Sequence, residues 1–126
     1  MATTPQPHRQ NAELTALCPI RDVLDRIGDK WSVLLLTEMR EGAARFGVLR
    51  KRIPDISQRM LTETLRNLQR DGFVSRTVYP TVPPSVEYAL TDLGRSLLVP
   101  LENLVVWSAS HHERVKTARQ QFDIAA

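Results

Sequence analysis

Pro54 stands three residues before Ser57, between two segments of helical periodicity, and that short gap constrains the fold more than any other feature of the chain. On its N-terminal side Phe46, Leu49 and Ile53 recur at helical spacing, and a proline cannot continue such a helix because it lacks the N–H and crowds the preceding turn. On its C-terminal side Ser57 is a good N-cap for the stretch ISQRMLTETLRNLQRDG, residues 56–72. Leu61, Thr64, Leu65 and Leu68 form one stripe of that second helix. Two helices joined by three or four residues, the second opening on short polar side chains, predict a helix-turn-helix over about 45–71.

The opposite face of the second helix is electrically unbalanced. It carries Arg59, Thr62, Glu63, Arg66 and Arg70, with Gln58 on the flank, so three arginines face one glutamate. The whole chain has a net charge of +3, but the charge is unevenly placed. From Arg40 to Arg76 nine Lys/Arg oppose four acids, whereas the remainder holds eight bases and ten acids. A basic stripe inside an otherwise slightly acidic molecule is the footprint of a polyanion-binding surface. The residues alone leave a second reading open, in which Arg59, Glu63 and Arg66 pair with one another at i,i+4 and i,i+3.

The flanking segments build a mainly α fold with a small β-hairpin wing. Ile20, Val23, Leu24 and Ile27, between Pro19 and Gly28, predict a short first helix. Trp31, Val33, Leu34, Leu35, Leu36 and Met39 predict a second, almost fully apolar one from about Lys30 to Glu41, ended by Gly42. Residues 73–79 and 86–90 are rich in β-branched and aromatic side chains, and the PTVPPS between them excludes regular structure. They predict a two-stranded hairpin, the wing, over about 73–90. Thr91 then caps a helical region reaching about Gln121, in which Pro100 predicts a kink or a junction of two helices. Leu93, Leu97, Leu98, Leu101, Leu104, Val105 and Trp107 give that region more apolar surface than a lone helix needs, so a second subunit is expected to cover it. At 126 residues the expectation is a loose tail over 1–12 and one domain over 13–126, with its dimerisation helices at about 91–121.

Several function classes are excluded at this stage. The first seventeen residues contain no apolar core of a secretory signal, and the longest aliphatic run, Val33–Leu36, falls far short of the roughly 20 residues of a membrane span. The single cysteine excludes an intrachain disulfide framework and suits the cytoplasm. Asp22, Asp25 and Asp29 share one face at helical spacing, but Arg26 follows Asp22 by four residues and a solvated face accounts for the set. His111 and His112 diverge by roughly 100° on a helix, so no metal site is expected from them. With no phosphate-cradling glycine loop, G-x-S-x-G or Cys-x-x-Cys, neither a cofactor nor an enzymatic activity is expected.

Three stretches carry a resemblance to a known family: CPIRDVLDRIGDKW (18–31), RFGVLRKRIPDISQRMLTETLRNLQRDG (45–72) and VPPSVEYALTDLG (82–94). In this order they closely resemble the HxlR-type transcriptional regulators, relatives of the MarR-like winged helix proteins. The resemblance spans Cys18 to Leu101; Asp55 stands where the family often has Gly, and Val48 where it often has Glu. It implies a bacterial homodimer that regulates transcription from a pseudo-palindromic double-stranded DNA operator. The helix 57–70 is then the recognition helix, with Gln58, Arg59, Thr62 and Arg66 suited to base edges in the major groove. Ser57 marks the helix start, where backbone N–H groups favour a phosphate. Arg50, Lys51 and Arg52 on the preceding helix, and Arg76 on the wing, suit phosphates. Repression is expected, since no separate domain is present to recruit polymerase. Several such regulators sense oxidants or electrophiles through a cysteine near the N-terminus, and Cys18 holds that position, before Pro19 at a helix start where thiol reactivity is raised. Two alternatives stay open: Cys18 packs inertly while a small-molecule effector binds near the dimer interface, or the winged helix binds protein rather than DNA.

Overall fold

The core gathers around Leu35, Leu36, Leu49, Leu61, Leu65 and Leu68, all essentially removed from solvent. Residues 18–126 are described in the computed structural model, so the tail expected over 1–12 lies outside the described residues. Their elements run α1 (Pro19–Ile27), α2 (Ser32–Glu38), β1 (Ala44–Arg45), α3 (Phe46–Arg52), α4 (Gln58–Arg70), β2 (Val74–Tyr79), β3 (Ser85–Leu90) and α5 (Asp92–Ala125).

Helix α2 starts later than its apolar pattern suggests, because Asp29 captures its first turn. The Asp29 carboxylate accepts from the backbone N–H groups of Trp31 (2.7 Å) and Ser32 (2.8 Å) and from the Ser32 hydroxyl (2.6 Å). Burial alone would raise this carboxyl; the Ser32 and Trp31 hydrogen bonds prevail and hold it below its ordinary value. The aspartate face expected on the first helix is thereby corrected. Helix α1 ends at Ile27, Asp29 belongs to the next helix start, and Asp22 pairs with Arg26 at 3.9 Å. After Met39 the chain reverses through Gly42, whose φ of 147° favours glycine.

Among the described residues the sheet has three strands where two were expected, in the order β1-β3-β2 with both pairings antiparallel. Ala44 and Arg45 sit opposite Tyr88 and Glu87. A two-residue strand shows no alternation, so its period gives it no signature. In the hairpin Val74, Arg76 and Val78 oppose Leu90, Tyr88 and Val86.

Thr91 joins the wing to the last helix. Its hydroxyl accepts from Gly94 N–H at 3.0 Å and donates to the Gly72 carbonyl at 2.5 Å, while its own N–H reaches the Phe73 carbonyl at 3.1 Å. Gly94 is required by that approach, since a Cβ there would run into the Phe73 carbonyl oxygen. Helix α5 then continues unbroken through Pro100 to Ala125, four residues beyond the expected end and without the junction of two helices. Leu98 and Leu101 are buried on either side while Pro100 faces out, so packing carries the axis past the missing hydrogen bond.

Candidate nucleic-acid interface

Helices α3 and α4 meet through a turn pinned by two buried isoleucines. Ile53 closes α3 by donating to the Leu49 carbonyl at 3.1 Å, and Ile56 donates to the Ile53 carbonyl at 3.1 Å, leaving Pro54 and Asp55 outside. Ser57 then adopts an extended conformation (φ −74°, ψ 155°), and its hydroxyl accepts from Met60 N–H at 3.0 Å. The earlier N–H groups of that first turn have no intrahelical acceptor and lie where Ser57, Gln58 and Arg59 are exposed.

Leu61, Thr64, Leu65 and Leu68 fix the rotation of α4 by burying its inner face. The same rotation exposes Gln58, Arg59, Thr62, Glu63 and Arg66 together along one shallow depression. Among the described residues, Arg59, Glu63 and Arg66 form no ion pair with one another, so the self-paired face is not what the structure contains. Thr62 donates its hydroxyl to the Gln58 carbonyl at 2.9 Å, and Gln58 accepts from the Arg50 guanidinium at 3.2 Å. That second bond ties the exposed edge of α3 to the opening residue of α4.

The other basic residues divide into two groups. Lys51 and Arg76 are exposed and make no ion pair among the described residues. Arg52, also exposed, donates through one guanidinium N–H to the Glu38 carbonyl at 2.8 Å and so closes the end of α2. Arg40 likewise bridges Glu102 at 2.7 Å and Glu41 at 3.2 Å. Sequence reasoning overlooked Asn67 and Gln69, which continue the α4 depression beside Arg59, Arg66 and Arg70. Their spacing is the signal, Asn67 four residues after Glu63 and Gln69 three after Arg66, but neither carries the charge that marks the rest of the face.

Outside this face, Cys18 is the N-cap of α1, half-buried, and its side chain makes no capping bond. Ile20 and Leu24 on α1 and Leu104, Val105, Val106 and Trp107 on α5 are large apolar residues left exposed. Among the described residues no helix is long and apolar enough to cross a membrane.

The HxlR-like helix-turn-helix family matches residues 26–116 of this chain, which contain α2 to α4, the three strands and most of α5. The chain belongs to the HxlR-like family. Among its relatives, the uncharacterized HTH-type transcriptional regulator YdeP of Bacillus subtilis is 45% identical over 98 residues, covering 78% of this chain and 77% of YdeP. The redox regulator HypR has been solved in two forms. Its oxidized form is 46% identical with a TM-score of 0.70, over 74% of this chain and 96% of HypR. Its reduced form is 42% identical with a TM-score of 0.75, over 79% and 98%. As an HxlR-like protein of winged helix architecture, the chain is a DNA-binding transcriptional regulator.

Proposed function

We propose that this HxlR-like protein represses transcription as a homodimer, each subunit laying α4 in the major groove of one half of a pseudo-palindromic operator. The observation that carries this reading is the arginine face of α4, which makes no ion pair among the described residues and is held outward by a buried opposite face. Gln58, Arg59, Thr62 and Arg66 have the donors and acceptors that base edges require. Arg50, Lys51 and Arg76 supply charge for phosphates, and the N–H groups around Ser57 favour another at the helix start. Exposed apolar residues on α1 and α5 support a second copy as the cover for those helices. Two-fold symmetry then sets half-site centres about 34–36 Å apart, or a multiple of that. Enrichment of duplexes from a random pool, followed by footprinting, tests the reading. A palindromic consensus with steep salt dependence supports it; weak binding without sequence preference leaves a protein-binding winged helix instead.

Control by oxidation through Cys18 is the second part of the proposal. Similarity to HypR, solved in an oxidized and a reduced form, favours it, as does the position of Cys18 at the start of α1. With one cysteine per chain, two Cys18 thiols across a dimer form one disulfide by giving two electrons and two protons to an oxidant such as diamide. Loss of DNA release by diamide in Cys18→Ser supports this; a retained response points to a non-covalent effector and an inert cysteine.

A further inference from the structure

Arg50 and Gln58 meet across the helix-turn-helix, one on α3 and the other opening α4. The Arg50 guanidinium donates to the Gln58 side-chain oxygen at 3.2 Å, and both residues are exposed. That bond fixes an orientation that a side-chain amide otherwise leaves open. A guanidinium has five N–H donors and no acceptor, so only Oε1 of Gln58 can face it, and Nε2 is left to point elsewhere. Among the described residues, no other side chain on the outward face of α4 is hydrogen-bonded from a second helix.

Gln58 is also anchored at its backbone. It follows the Ser57 cap directly, and its carbonyl accepts from the Thr62 hydroxyl at 2.9 Å. The residue is therefore held both at its main chain and at the tip of its side chain. A group fixed before binding loses little entropy when it binds.

The pair presents a donor edge. One lone pair of Oε1 is taken, and the other lies beside a positive charge that disfavours the amino group of a base. What remains for a ligand is the Nε2 amide and, next to it, the guanidinium N–H groups that Gln58 does not use. Base edges in the major groove differ in what they offer to such donors. Guanine has two adjacent acceptors, N7 and O6; adenine has one acceptor and one donor; cytosine has a donor. An unconstrained glutamine suits adenine, because its amide carries one group of each kind.

We propose that Arg50 is a positioning residue for Gln58, and that the pair reads guanine at one base pair of each half-site where a free glutamine would read adenine. The inference rests on the DNA-binding reading of α4. Arg50 spends a single N–H on Gln58 and keeps its charge for a neighbouring phosphate.

The test uses the full-length protein and duplexes enriched by it from a random pool. Gln58→Ala identifies the position at stake, as the base pair whose preference relaxes while the others hold. Wild type is expected to favour guanine over adenine there by about tenfold. Arg50→Ala, a change at an exposed site, is expected to bring that ratio to about threefold or less, with the other positions unchanged. A wild-type preference for any other base at that position overturns the assignment. So does an Arg50→Ala variant that binds every sequence more weakly by one common factor and with a shallower salt slope, because Arg50 would then be a phosphate contact alone. If Gln58→Ala relaxes no position while Arg59→Ala relaxes one, the pair is refuted and the α4 reading stands. Failure of the wild-type protein to enrich any duplex overturns both readings at once.

Discussion

Helices α4 and α5 begin alike and end differently. Each starts from a hydroxyl N-cap that accepts the N–H three residues on, Ser57 from Met60 and Thr91 from Gly94. Helix α4 buries residues along its length, from Leu61 through Leu68, and its surplus surface is charge. Among the described residues helix α5 buries nothing after Leu101, and its surplus surface is apolar, centred on Leu104 to Trp107. A cap therefore says where a helix starts and nothing about what it is for. The unmatched face does: arginines kept in water suit a charged polymer, and aliphatic side chains kept in water suit another protein surface.

This contrast can be broken at several strengths. Leu65→Ala on the buried face of α4 should cost about 2–5 kcal/mol in denaturant unfolding, because the site is closed on every side. Trp107→Glu on α5 should weaken self-association by about 2 kcal/mol or more, read by sedimentation, with the far-ultraviolet dichroism per residue preserved. A dimer that survives Trp107→Glu would remove the contrast. Arg59→Ala should lower specific DNA affinity by about 1–3 kcal/mol without moving the thermal midpoint. Ser57→Ala and Thr91→Ala should each cost about 1 kcal/mol of stability, the second more because its hydroxyl also holds the Gly72 carbonyl. The smallest effect belongs to Asp29. Its folded carboxyl titrates below 3.8, so its stabilisation is complete above that value and is lost as pH falls through the folded value. Asp29→Asn should remove that acid-dependent part of the unfolding curve.

Much of this was legible from residues. The stripe at Leu61, Thr64, Leu65 and Leu68, the Ser57 cap, the Pro54 stop and the proline-tipped hairpin all follow from local chemistry, and all are present. Arg59 and Arg66 were legible as outward residues because burial of Leu65 leaves them no other side. What was not legible depended on partners distant in sequence. Strand β1 exists only because β3 lies beside it, and Arg52 is tied down only because Glu38 ends a helix nearby. The reassignment of Asp29 is of the same kind, since an aspartate at helical spacing and one capping the next helix look identical in one dimension. Pro100 is the converse case: local chemistry argues for a kink or a junction of two helices, and the chain runs on as one helix with Leu98 and Leu101 buried on either side.

The two attachments of α5 give the chain a built-in ruler. Thr91 locks its start to Gly72 and Phe73, and Glu102, ten residues after the first helical residue, is held by Arg40. Fixed at two points, the helix cannot swivel freely on the body that carries α4. The stretch beyond Glu102, 23 residues to Ala125, extends as an arm of roughly 34 Å. If two such arms cross in a dimer, a change of about 6° in their crossing angle displaces each body by about 3.5 Å, close to the roughly 3.4 Å rise of one base pair. In the proposed homodimer, small adjustments where such arms meet would move the bodies by steps of that size.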